Sequence, residues 1–256
     1  MKLNKIILYD EPTVPEIEIT HQKKFLESIF GLEIEIRDNF FQNLQDEECR
    51  NIASKRVFEL KKPFQQHDPT QDEIEIERSN KDMTENDEVF LYDGYELEQI
   101  VAESIKEQNL DTLHIIFTNK LTATFSEEDF RYHARALIGT NPTIISTTGI
   151  IEAPAKPKQY YMELIGDFSE ERIKEIKEKY KGQFLEYHDN RLGKIVEGYL
   201  LQAIFYVETG NAFCDNKDCR LFNAHWQKDL FESQLKNPQL CEKHSKELEK
   251  LLSTNR

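Results

Sequence analysis

Four residues near the end of the chain have the types and spacing of a metal site. Cys214 and Cys219 form a C-x4-C pair, and Cys241 and His244 form a C-x2-H pair. Soft thiolates and a neutral imidazole are ligands that zinc favours, and two short-spaced pairs split by an insert are a common arrangement of closed tetrahedral sites. A C-x2-H that opens a helix puts both ligands on one face, one turn apart. Four protein ligands leave no open position for an activated water. The expectation is therefore one structural Zn2+, worth about 10–16 kcal/mol of apparent binding energy if it behaves like small zinc modules. His225 follows Cys219 closely enough to compete with His244 as fourth ligand; the pairing with Cys241 favours His244. The remaining cysteine, Cys49, lies far off in an expected helix.

Other groups could bind without a metal. Arg131-Tyr-His-Ala-Arg135 is a short basic spot, where His133 and Arg135 either take a carboxylate or decorate a strand edge. Asn223, His225 and the single Trp226 either line a groove or supply a helix cap and a core aromatic. Glu152 is a further candidate polar contact, so the binding set is His133, Arg135, Glu152, Asn223 and His225. Ser146-Thr-Thr-Gly149 offers hydroxyls but no G-x-S-x-G, and neither a Walker A sequence nor G-x-G-x-x-G occurs.

The elements that must position these groups follow from periodicity. Residues 2–9 read as a strand, residues 21–30 as a helix with Phe25, Leu26, Ile29 and Phe30 on one stripe, and residues 32–37 as an alternating strand. This β-α-β opening predicts a right-handed crossover onto one sheet. A helix from Tyr95 to Ile105 and strands at 113–118, 136–138 and 143–147 extend the pattern. Helices are expected over 169–182, from about Lys194 to Thr209 with Gly210 as C-cap, near 226–235 and over 241–252. The fold class is α/β: a mixed sheet with flanking helices and a zinc-pinned helical C-terminal part. Two units follow, a sheet domain over 1–160 and a helical part over 161–256. Residues 65–90 read as an acidic mobile insertion, in which Glu73-Ile-Glu-Ile-Glu77 could add an edge strand.

Composition narrows the partners. With 48 acidic and 33 basic residues the formal net charge is -15, a field that repels phosphate backbones and anionic lipid. No nucleic acid and no membrane are expected. The apolar run at Ile6–Tyr9 is too short for a signal peptide, and no stretch is long enough to span a bilayer. Three clustered cysteines out of four suit a reducing, cytoplasmic setting better than a disulfide framework.

The C-terminal third resembles the archaemetzincins, zinc peptidases whose active-site helix carries H-E-x-x-H-x-x-G-x-x-H followed by Cys-x4-Cys and later Cys-x2-Cys. With Cys214 on the first cysteine, Gly210 falls on the motif's glycine, Cys219 and Cys241 on the next two cysteines, and His244 on the last. Phe117-Thr-Asn-Lys-Leu121, Tyr132-His-Ala-Arg-Ala136 and Ile144-Ile-Ser-Thr147 extend a fainter likeness, so the resemblance covers residues 112–256. It is similar as well to an archaeal group of metallopeptidase-like proteins. The resemblance implies a metzincin-like fold and a structural zinc at the cysteines. The catalytic letters differ: the three histidines become Ala203, Val207 and Phe213, the glutamate becomes Ile204, and Leu221 stands where the family has methionine. A metzincin without those groups has neither a holder for catalytic zinc nor a base for its water. What the resemblance then implies is a degenerate homologue, a binding or regulatory protein whose old cleft takes a peptide or protein segment. The alternatives are a hydrolase with a relocated site around His133, Glu152, Asn223, His225 and Asp229, and a structural subunit.

Overall fold

The computed structural model describes residues 2–79, 81–84, 87–107, 109–165 and 169–253. In chain order the elements are β1 (Lys5–Tyr9), α1 (Ile19–Phe30), β2 (Glu33–Arg37), α2 (Asp46–Ala53), α3 (Gln71–Ser79), β3 (Leu91–Asp93), α4 (Gly94–Ser104), β4 (Thr112–Thr118), β5 (Leu121–Ser126), β6 (Arg131–Arg135), β7 (Leu137–Ile138), β8 (Thr143–Ser146), α5 (Thr147–Glu152), α6 (Lys158–Leu164), α7 (Glu170–Lys179), α8 (Leu192–Thr209), α9 (Gln227–Phe231) and α10 (Glu242–Ser253).

The main sheet has the order β2-β1-β4-β8-β7, parallel except for β7. A smaller sheet, β3-β5-β6, pairs β3 with β5 in parallel and β5 with β6 antiparallel. The α/β class expected from the sequence is the class observed. The central strands explain why. Every residue of β4 is buried, as in a strand covered on both faces. Strand alternation sends Ile6, Leu8, Leu113, Ile115, Phe117 and Ile145 to one face, where α1 and α8 cover them. Ile7, Tyr9, Ile116 and Ile144 face the other way, onto α2 and α4 through Ile52, Leu97 and Val101. Helix α8 is apolar almost all round because it runs through the larger of these cores. At Gly198, α8 meets the 232–236 turn of π-helix that continues α9, and a Cβ there would stand 1.8 Å from Gln234 Oε1.

Two expectations change. The 73–77 alternation is not an edge strand; it is the middle of α3. Ile74 and Glu77 share one buried helix face while Ile76 is 42% exposed, which is helical rather than strand spacing. Glu77 is fully buried and accepts bonds from Arg56 Nε (3.0 Å) and Nη2 (2.6 Å), Tyr92 (2.7 Å) and Lys120 (2.5 Å), tying α3 to the smaller sheet. Residues 80, 85 and 86 of the expected insertion lie outside the described residues. The hydroxyls at 146–148 are not free: Ser146 caps α5 by accepting from Gly149 N–H (2.8 Å) and donates to Lys120 O, while Thr147 and Thr148 donate to Thr118 O and Asn119 O. Among the described residues no helix is long and apolar enough to cross a membrane.

Candidate functional site: a metal centre and an adjoining cleft

Helix α8 ends at Gly210, and the chain then folds into a closed loop. Cys214 N–H donates to Leu221 O (2.9 Å), and Cys219 N–H donates to Asn216 O (3.0 Å) inside it. Cys241 immediately precedes α10, and its carbonyl accepts from Ser245 N–H, so His244 falls in the first helical turn. The loop and the helix start bring Cys214, Cys219, Cys241 and His244 together, with their ligand atoms all within 4.8 Å of one another.

The donor geometry fits a tetrahedral ion. Zn–S bonds of ~2.3 Å and Zn–N bonds of ~2.0–2.1 Å imply S···S of about 3.8 Å and S···N of about 3.6 Å. The separations are 3.9 Å for Cys214 Sγ to Cys241 Sγ, 3.6 Å for Cys219 Sγ to His244 Nδ1, and 3.2 Å for Cys241 Sγ to His244 Nδ1. Backbone N–H groups point at the sulfurs: Asn216 at Cys214 and Cys241 at Cys219, each at 3.4 Å. Such donors favour the thiolate. Burial pushes the Cys219 thiol up to about 12. Burial acts the same way on Cys241, but the backbone N–H of His244 and the neighbouring sulfurs outweigh it, and its thiol lies below the ordinary value. Burial lowers His244, leaving a neutral imidazole with a lone pair. Three sulfurs this close cannot all carry charge without a cation between them. On the far side of the ring, Glu247 lies 3.8 Å from Nε2, and Phe205 of α8 meets the imidazole edge to face at 5.8 Å. The alternative ligand His225 is not in this cluster. Cys49 sits buried in α2, apart from it.

His225 instead lines a cleft of about 420 Å³ beside α8, together with Asn223, Arg135, Tyr199, Tyr206 and Phe213. The loop that carries the metal ligands therefore also forms one wall of the cleft. Of the residues singled out from sequence, Arg135, Asn223 and His225 converge here. His133 does not: its Nε2 pairs with Asp129 at 2.8 Å. Glu152 lies in a second hollow with Lys156, 3.6 Å away, and Asp229 pairs with Lys217 at 3.2 Å. Trp226 is neither core nor neighbour to an Asn223 cap: it is 44% exposed and itself occupies the residue before α9. Sequence reasoning missed Tyr199 as a cleft residue, because its place in the α8 stripe reads as core. Ala203 and Ile204 are fully buried, Val207 packs against the same core, and Phe213 is half exposed at the cleft.

No curated protein matches the chain. Among solved structures, a zinc-dependent peptidase from Methanocorpusculum labreanum is similar at 11% identity and a TM-score of 0.46, over 95% of this chain and 99% of that one. The description "Probable metallopeptidase family (DUF6775)" belongs to a family model that matches residues 2–251, and the chain is a member of that family.

Proposed function

We propose that this family member is a degenerate metallopeptidase of archaemetzincin type. It holds one structural zinc through Cys214, Cys219, Cys241 and His244 and serves as a binding or regulatory protein for a peptide or protein segment. The observation that carries this reading is the chemistry of α8 and the residues after it. Ala203, Ile204, Val207 and Phe213 stand where metal ligands and a general base would be needed, and two of them are sealed in the core. Hydrocarbon can neither hold a Lewis-acidic ion nor take a proton from its water. A reducing cytoplasm suits such a protein, since it keeps the three thiols available to metal.

The test is metal stoichiometry by mass spectrometry together with a peptide-hydrolysis assay on zinc-loaded protein. One equivalent of zinc and no turnover are expected. Two tightly bound equivalents would overturn the reading, as would turnover abolished by His225→Ala, which would establish the relocated-site hydrolase. Isolation of a stable protein complex without any peptide binding would turn the reading toward a structural subunit.

A further inference from the structure

Several polar groups that line the cleft have hydrogen-bonding capacity to spare. Arg135 Nε donates to Thr124 Oγ1 at 2.8 Å, and among the described residues its two terminal nitrogens meet no carboxylate. Tyr199 is only 9% exposed, lines the cavity, and its hydroxyl has no hydrogen-bond partner among the described residues. Burial holds this phenol above its ordinary value, so it remains a neutral donor. The Asn223 amide and the His225 ring are likewise without side-chain partners among the described residues, though both line the same space. Asn223 and His225 are exposed and Arg135 is half-buried, so of these groups the largely buried Tyr199 is the one whose unpartnered hydroxyl needs a reason.

The charge pattern is equally lopsided. Almost one residue in five of this chain is acidic, yet among the described residues none that lines the cleft is, and Arg135 is the only full cation among them. The backbone that carries the cation is closely packed. At Gly149, α5 presses against the end of β6 so closely that a Cβ would stand 2.2 Å from Arg135 O, and the same carbonyl accepts from Thr122 Oγ1 at 2.8 Å. Tyr206 and Phe213 supply aromatic wall. A cavity of about 420 Å³ lies within the ~300–1,000 Å³ that drug-sized ligands occupy.

We propose that the cleft recognises a carboxylate: Arg135 and Tyr199 bind the two oxygens, and an apolar group of the same ligand rests against Tyr206 and Phe213. A guanidinium fork with two free nitrogens matches a carboxylate in its plane. This rests on the peptide-binding reading above and names the chemistry that reading requires. The carboxylate can be a peptide's C-terminus or an Asp or Glu side chain, and the two sources separate by experiment.

The experiment is equilibrium dialysis of the zinc-loaded full chain against a pool of short N-acetylated peptides rich in apolar and aromatic residues, read by mass spectrometry. The pool contains free acids, the matching C-terminal amides, and amides carrying one Glu. Carboxylate-bearing peptides should be retained about tenfold or more over their neutral counterparts, as expected for losing one charge-assisted contact. Retention of free acids alone identifies the terminal carboxylate; retention of Glu-bearing amides identifies the side chain. Arg135→Met should erase the preference, and Tyr199→Phe, which removes one buried oxygen, should weaken retention of carboxylates with little effect on neutral peptides. If Arg135→Met fails to fold or to keep its zinc, Tyr199→Phe carries the test. Equal retention of neutral peptides would overturn carboxylate recognition and leave peptide binding intact. So would a preference that survives Arg135→Met in folded protein. No retention of any peptide would overturn both.

Discussion

Replacing Glu77 by Gln keeps the shape of the buried side chain and removes its charge. In the native protein one carboxylate oxygen serves Arg56 twice and Tyr92 once, while the other serves Lys120. Arg56 is almost wholly buried, with Phe90 stacked 3.9 Å from its guanidinium, and Lys120 is nearly so. Gln leaves Lys120 without a carboxylate partner among the described residues, leaves Arg56 with only the longer 3.5 Å contact to Glu73, and turns an N–H2 toward one set of donors. Breaking a buried ion pair from one side costs about 3–5 kcal/mol. Relief by neutralisation is limited: shedding a lysine proton at pH 7 costs about 4.6 kcal/mol from an ordinary value near 10.4, and arginine has no such route. A loss of about 3–5 kcal/mol corresponds to a melting temperature lower by roughly 6–20 °C in a domain of this size. Circular dichroism melts at pH 7 measure it directly. The pH dependence supplies a second reading. In the wild type, burial raises the Glu77 carboxyl, but Lys120, Tyr92 and Arg56 outweigh burial and hold it below its ordinary value. Its stabilising contribution is therefore present above the unfolded carboxyl range and is lost as pH falls through the lower folded value. In the variant the strain lies on the cations, so its deficit should shrink as pH rises toward the lysine range. A deficit below about 1 kcal/mol, or one that does not vary with alkaline pH, would refute the view of this cluster as a dry, charge-balanced pin.

Cys219→Ser should abolish stoichiometric zinc in the purified protein, measured by mass spectrometry, and lower the melting temperature. Chelation of wild-type protein should reproduce the same melting shift, since both remove one anchor. Gly198→Ala should cost about 1–3 kcal/mol in a denaturant titration, because the new methyl falls on Gln234 Oε1 and Gln234 can move only by giving up its 2.7 Å bond to Arg220 O. Ser146→Ala removes both the cap on Gly149 N–H and the donor to Lys120 O, and about 1–3 kcal/mol should be lost in the same assay.

Where two levels of pattern agree, the sequence is easy to read. The strands at 5–9 and 112–118 combine β-branched residues with neighbours that bury both faces, and α8 combines a long apolar stripe with a glycine stop. The metal cluster is legible because its two pairs are local: each short spacing survives any arrangement of the rest. Glu73-Ile-Glu-Ile-Glu77 misleads on its own, since isoleucines two residues apart share one face of a strand but fall on different faces of a helix. The choice is made by Arg56 and Lys120, which reach Glu77 from distant segments and have no trace in its local pattern. The cleft was half legible. Arg135, Asn223 and His225 stand out as polar groups, but Tyr199 has the spacing of a core residue, and only the packed structure leaves its hydroxyl facing a hollow. His133 and Glu152 were as conspicuous as Arg135 in sequence, yet each has an ionic neighbour that occupies it.

On the proposed reading, the position of the four ligands bears on why a structural metal would persist without a catalytic partner. The larger core is closed by α1, α8 and the main sheet and does not depend on the cysteines for its bulk. Helix α10 is different: His244 is its one buried residue among those described, with Leu248 and Leu252 only partly covered. A helix with so thin an apolar face gains little from packing, and its ordering entropy must be offset by something else. An ion held by the four ligands would do that, and in the same step it would fix the loop after α8. Phe213, one residue before Cys214, and Asn223 and His225, just after Cys219, are cleft wall. Edge-to-face contact between Phe205 and His244 ties this ligand to α8, the helix that carries Tyr199 and Tyr206. A metal that served stability alone could sit anywhere along α10. The proposed ion would sit where a single set of bonds holds both walls of the cleft in register, which is what the proposed binding through that cleft requires.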